Sequence, residues 1–243
     1  MAARKFHHIY KELEYRINTG IYQKTLPTES VLTQEFQTSR NTIRRAIALL
    51  SDRGYVYSVK GSGVVILESF SGPRWSFGAR GFNGLRAIKE SNHLMANTKV
   101  VNFKKIIVTP ELAPELPFEL DEVLYLVDRI RIFDGQPMIW DHSFFRVEQI
   151  PPLSKKIVAG SIYDYFREEN FKIIAAKRSF LVMPATSADY EQLDLGEYNC
   201  VGVMEDLVFS DNGQMFEYTQ SRFIPGRFSL SYFDQDNDLI DQD

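Results

Sequence analysis

The chain has 243 residues, 44% hydrophobic and 13% aromatic, which predicts two packed domains rather than one. A single cysteine, Cys200, excludes an intrachain disulfide framework, and four scattered histidines give no metal-ligand spacing. No apolar run approaches the ~18 residues that span a bilayer, and the amphipathic start MAARKFHHIYKELEY is no secretory leader, so a cytoplasmic, membrane-free protein is expected. The net charge of −4 is uneven: residues 1–68 hold ten Lys/Arg against six Asp/Glu, or +4, leaving −8 for the rest. That asymmetry suits a phosphate-binding head on an acidic body.

In the head, Phe6, Ile9, Tyr10, Leu13 and Ile17 recur at helical spacing until Gly20 stops the pattern. Thr28 is the expected N-cap of a second helix carrying Val31, Leu32 and Phe36, and Ser39 caps a third. There Ile43, Ala46, Ile47 and Leu50 form one stripe. Asn41 and Arg45 point away from it, with Arg44 on the flank. A cationic, hydrogen-bonding face at a helix N-terminus is what reads bases in a major groove, with Arg40 and Arg44 able to grip guanine and Ser39 and Thr42 to reach phosphates. Gly54 ends the helix. Tyr55–Val59 and Val64–Leu67 read as two strands around the turn Lys60-Gly61-Ser62-Gly63, which can approach a phosphate or the minor groove closely. The bland alternative is a solvated basic face, but the capped helix-turn-helix spacing and the Gly-rich wing coincide.

LPTESVLTQEF, TSRNTIRRAIALLSDRGYV and KGSGVVI resemble the winged-helix domain of the GntR family of bacterial repressors, over residues 5–67. The resemblance implies DNA contacts at Ser39, Arg40, Asn41, Thr42 and Arg44 and at the wing around Gly61 and Gly63; we add Arg45, Lys60 and Ser62. Ser30 departs from an arginine common at its position. A head of residues 1–68 is followed by a linker, 69–76, marked by Gly72-Pro73.

The body, 77–243, alternates strands and helices. Strands are predicted at Lys99–Val108, Glu122–Phe133, Met138–Phe145, Ala175–Pro184, Cys200–Ser210 and Met215–Pro225, the last two joined over Asp211-Asn212-Gly213. Ser229–Phe233 is expected to close the sheet. Helices are predicted at Pro110–Leu116, from Ser161, and at Thr186–Leu193. Antiparallel hairpins with intervening helices indicate an α+β fold. Arg129 and Arg131 share one strand face, where an anionic ligand or the domain's own carboxylates would satisfy them. If Asp141 is to stand across from Arg129 on that face, the hairpin at Asp134 needs a three-residue loop that pairs Phe133 with Pro137.

YLVDRIRIFDGQPMIWDHSFF, SIYDYF and MFEYTQSRF resemble the UTRA effector domain found in the HutC-type branch of that family. This implies a chorismate-lyase-like antiparallel sheet with helices that binds a small metabolite without chemistry and without a cofactor. The implied ligand positions are Arg129, Arg131, Asp141, Ser161, Glu217 and Phe223, with the loop Asn83, Gly84 and Leu85. Phe223 departs from a common tyrosine, and neighbouring Arg222 is the expected additional phosphate contact. Within the branch, FQTSRNTIRRAIALLSDRGYV, SIYDYF and YTQSR resemble members governing trehalose operons, which implies trehalose 6-phosphate as the effector. The expectation is a homodimer on palindromic operator DNA, since one helix-turn-helix reads one half-site. A different ligand, such as an amino-sugar phosphate or amino-acid catabolite, is the alternative. An enzyme using Asp141, Glu217 and His142 is the remaining one.

Overall fold

The computed structural model describes residues 2–69, 75–78, 96–226, 228–231 and 233. The chain divides into two compact units, residues 1–72 with 231–243, and residues 73–230. The expected linker falls mostly on residues 70–74, outside the described ones.

In the first unit, α1 (Ala2–Asn18), α2 (Glu29–Glu35) and α3 (Arg40–Asp52) are followed by β1 (Val56–Val59) and β2 (Gly63–Ile66). Ile9, Tyr10 and Leu13 of α1 close on Leu32 of α2 and on Ile43, Ala46, Ile47 and Leu50 of α3, one core built from three amphipathic stripes. Thr28 and Ser39 cap their helices, accepting from Val31 N (3.4 Å) and Thr42 N (3.3 Å). β1 and β2 pair antiparallel from Val56↔Ile66 to Val59↔Gly63, and the chain before α2 joins them through Leu26 N to Val64 O and Ile66 N to Lys24 O. This is the three-helix, winged arrangement expected of the head.

The second unit is a six-stranded antiparallel sheet with a separate two-stranded ribbon. The ribbon pairs β3 (Trp75–Gly78) with β10 (Phe228–Ser231). The sheet comprises β4 (Ala96–Ile107), β5 (Val123–Phe133), β6 (Gln136–Arg146), β7 (Ile173–Pro184), β8 (Cys200–Ser210) and β9 (Met215–Phe223), in the order β4-β5-β6-β9-β8-β7. The final strand therefore joins the ribbon instead of closing the sheet as expected. Helices α4 (Lys155–Ala159) and α5 (Ile162–Glu168) cover one face, packing Val158, Ile162 and Phe166 on Tyr125, Val127, Phe145 and Val208. The other face is covered by residues 109–121, through Phe118 against Leu124 and Tyr218, and by α6 (Ser187–Gln192). The helix predicted at Pro110–Leu116 is absent. Leu112 and Ala113 both donate to Thr109 O, but Pro114 has no N–H to continue the pattern. Five-residue α4 was too short for its period to show.

The β5–β6 hairpin corrects the expected loop. Phe133 pairs with Gln136, so the turn is the two residues Asp134 (φ +48°) and Gly135 (φ +85°). Two consecutive left-handed residues make the turn whose twist matches the flanking strands. A bulge then intervenes: Ile132 faces Pro137 but Arg131 faces Ile139, and Asp141 still stands across from Arg129. The extra residue flips the register back onto the required face.

On β8, Gly202 lies beneath the ring of Phe223, and a β-carbon there would overlap it. Gly202→Ala is expected to destabilise the second unit by about 1–3 kcal/mol, as overpacking does. Urea unfolding followed by tyrosine and tryptophan fluorescence reads it; an unchanged midpoint would show that Phe223 yields without cost.

Candidate functional site

Alternation along the strands sends every second side chain to the face carrying α4 and α5. On β5 these include Arg129 and Arg131. Neighbouring strands add Asp141 and Ser143 on β6, Glu217, Thr219 and Ser221 on β9, Asp206 on β8 and Arg178 on β7, in cross-strand register. A sheet face that should be apolar thus carries a polar band across five strands. Buried polar groups persist when partnered, so the hydrogen bonds decide what the band is for.

Most of it is saturated. Arg131 donates from Nε to Asp141 (2.8 Å) and from a terminal nitrogen to Thr98 (2.8 Å). Ser221 donates to the second Asp141 oxygen (2.6 Å). Thr219 lies 2.7 Å from Glu217 and 2.9 Å from Ser143, and Tyr163 of α5 donates to the other Glu217 oxygen (2.8 Å). Arg178 binds Asp206 at 2.7 Å. Arg129 is the exception. It is buried, and among the described residues its Nε has no hydrogen-bond partner.

Electrostatics mark the same residue. Burial, with the Arg131 guanidinium nearby, lowers the Arg129 pKa to about 9. Burial alone would raise the Asp141 carboxyl, but Arg131, Arg129 and the Ser221 hydroxyl together hold it below the usual range. Glu217 goes the other way. Burial pushes it up to about 7, against the hydrogen bonds from Thr219 and Tyr163 that favour its ionised form. One carboxylate therefore serves two arginines in a dry setting, and Arg129 has donors to offer an anion.

The other expected ligand residues do not all join this band. Arg222 lies on the opposite face, its fork closed on Asp189 of α6 at 2.6 and 2.7 Å, so the added phosphate contact expected there is corrected. Parity explains it: Arg222 follows Ser221 by one residue, and Asp189 is fixed by its capping box with Thr186. Phe223 packs among Phe133, Met138, Ile139 and Leu195, with the Phe228 ring 3.7 Å from its own. Ser161 is exposed and caps α5, accepting from Asp164 N at 3.2 Å. Asn83, Gly84 and Leu85 fall outside the described residues. Sequence reasoning missed Tyr163, Ser143, Thr219, Ser221, Asp206 and Arg178. The signal was present in EYTQS, where Glu217, Thr219 and Ser221 recur with period two along one strand.

On the head, Arg40, Asn41, Arg44 and Arg45 are exposed on α3, with Lys60, Gly61, Ser62 and Gly63 exposed on the wing. Arg44 donates to both Glu29 oxygens (2.9 and 3.0 Å), and Arg45 lies 4.2 Å over the Phe6 ring. The Ser39 and Thr42 hydroxyls hydrogen-bond each other at 2.9 Å. An exposed ion pair such as Arg44–Glu29 is weak, so a phosphate can displace it.

Residues 5–66 match the model of the gntR family of bacterial regulatory proteins, and residues 91–229 match the UTRA domain. The chain belongs to the GntR family of transcriptional regulators. It is 31% identical over 236 residues to the HTH-type transcriptional regulator TreR of Bacillus subtilis, covering 96% of this chain and 98% of TreR. The structure of YydK from B. subtilis, a possible transcriptional regulator, superimposes with a TM-score of 0.76 at 25% identity, over 95% of this chain and 99% of that one. The effector-binding domain of the B. subtilis trehalose repressor gives 0.52 at 30% identity, over 58% and 98%. As a GntR-family regulator the chain carries a DNA-binding head and an effector-binding domain.

Glu217 makes the effector domain pH-dependent. Its pKa is about 7 in the fold against an ordinary 4.5, so the native state binds the extra proton between those values. Stability from this group is fully present below pH 4.5 and is lost as pH rises through 7. Glu217→Gln is expected to remove that loss, on the order of 3 kcal/mol, and to melt above wild type at pH 8. Parallel wild-type and variant melting curves against pH would refute the assignment.

Proposed function

We propose that this regulator is a repressor that holds a palindromic operator as a homodimer and releases it when a phosphorylated sugar enters the band at Arg129. The observation that carries the reading is the buried Arg129 guanidinium, which shares Asp141 with Arg131. A phosphate supplies acceptors and countercharge for Arg129, while Asp141, Ser221, Glu217 and Thr219 beside it are engaged with one another and with their neighbours. Likeness to TreR favours trehalose 6-phosphate. A dicarboxylate fits less well, because Arg131 already has its partners. The head would contact DNA through Arg40, Asn41, Arg44 and Arg45 in the major groove and through the Lys60–Gly63 wing. No described helix is long and apolar enough to cross a membrane. A cytoplasmic protein without a cofactor or catalytic role fits this reading.

Release requires that the effector bind the two head arrangements with different affinity. An operator selected from random duplexes, labelled and titrated with the protein, is expected to dissociate on adding trehalose 6-phosphate and not trehalose. Arg129→Gln should keep its fold, since it removes a desolvated charge, and lose at least tenfold in effector affinity, about 1.4 kcal/mol. Unchanged operator affinity at saturating trehalose 6-phosphate, glucose 6-phosphate and urocanate would end the inducer reading.

Dimerisation has a candidate surface at β7, an edge strand whose Phe180, Leu181, Val182 and Met183 are exposed, Val182 by 77%. Antiparallel two-fold pairing with a second copy about Val182 sets Val182 opposite its own copy and Leu181 opposite Met183, and separates Lys177 and Arg178 from their copies. Val182→Lys is expected to shift the protein to monomer in sedimentation and to weaken operator binding more than tenfold. A dimer that persists would move the interface elsewhere.

A further inference from the structure

The saturated centre of the polar band leaves unmet capacity at its two ends. At one end is the Arg129 guanidinium on β5. At the other is Asp206 on β8, whose Oδ1 accepts from Arg178 Nε, while among the described residues nothing hydrogen-bonds to its Oδ2. Between them Asp141 is occupied by Arg131 and Ser221, and Thr219 by Glu217 and Ser143. The route from β5 to β8 crosses β6 and β9, three strand spacings or ~14 Å. A phosphate and one pyranose ring, each about one spacing across (~5 Å), start at β5 and stop short of β8.

We infer that the effector pocket continues to a second subsite at Asp206, held in place by Arg178, which selects effectors bearing a second sugar unit beyond the phosphorylated one. The inference rests on the reading that the effector's phosphate sits at Arg129. Three observations support it. Exposure rises along the band: the Arg131 side chain is 9% exposed, Asp206 12% and Arg178 24%, so the far end is the open one. The side chains next in register to Ser221 are Met204 and Phe180, apolar surfaces on which the C–H face of a sugar ring packs. Burial raises the Asp206 carboxyl despite the adjoining Arg178, and Asp141 adds to the rise, so a hydroxyl donor would relieve it. Asp206 thus fits an acceptor for a hydroxyl of the second ring, with Arg178 as its positioning residue.

Calorimetric titration of the full chain with trehalose 6-phosphate and with glucose 6-phosphate tests this. Wild type is expected to bind the disaccharide phosphate more than tenfold tighter. Asp206→Asn should reduce trehalose 6-phosphate affinity at least tenfold and leave glucose 6-phosphate within twofold. Asp206→Ser, smaller and uncharged, should behave alike and covers the case in which the asparagine variant misfolds. Equal wild-type affinities, or equal losses for both ligands in the variants, overturn the subsite and leave the phosphate reading intact. Absence of binding by either sugar phosphate to folded wild type overturns both.

Discussion

Two arginines on one strand face, sharing one buried carboxylate, constrain the rest of the effector unit. Arg129 and Arg131 stand two residues apart on β5, and Asp141 is held below its usual pKa range by both. Like charges in a dry setting repel unless something compensates them, and the protein compensates only one of them fully. Arg131 donates to Asp141 and Thr98; Arg129 is buried, and among the described residues its Nε has no hydrogen-bond partner. The alternation of six strands, the helices that keep the face dry and the placement of Tyr163 over Glu217 all maintain that imbalance.

Such a site is an energetic reservoir. A desolvated cation that lacks partners lowers the stability of the ligand-free state, and an anion that supplies them recovers the difference as binding free energy. Glu217 adds a second lever. This carboxyl of the band has a pKa near 7, and a phosphate arriving nearby would raise it further, so anion binding and proton uptake would be linked.

The head was legible in the sequence almost throughout, because its helices are short, capped and amphipathic: Thr28, Ser39 and Gly54 punctuate it, and one apolar stripe per helix builds the core. The body was legible where strands carry a period of two, as in Arg129/Arg131. It was opaque where tertiary pairing overrides local pattern. Arg222 looked like a phosphate ligand because it is basic and adjacent to a family position, yet parity sends it to Asp189. Asp206 and Arg178 gave no local signal, since they become neighbours only when β7 and β8 pair.

The β5–β6 hairpin shows how two local demands are reconciled by a third device. Asp134-Gly135 strongly favours a two-residue turn, and with uninterrupted pairing that turn would place Asp141 on the face away from Arg129. Lengthening the loop would have solved the parity at the expense of the favourable turn. The chain keeps the turn and inserts one extra residue beyond it, at Met138, between the pairs Ile132↔Pro137 and Arg131↔Ile139. A bulge of this kind sacrifices one ladder position and bends the strand. In exchange the carboxylate meets both arginines, and Ser221 meets the carboxylate from the next strand. Removing the irregularity would leave two buried arginines without an acid between them. The bulge is therefore as much a part of the buried polar band as the side chains it aligns.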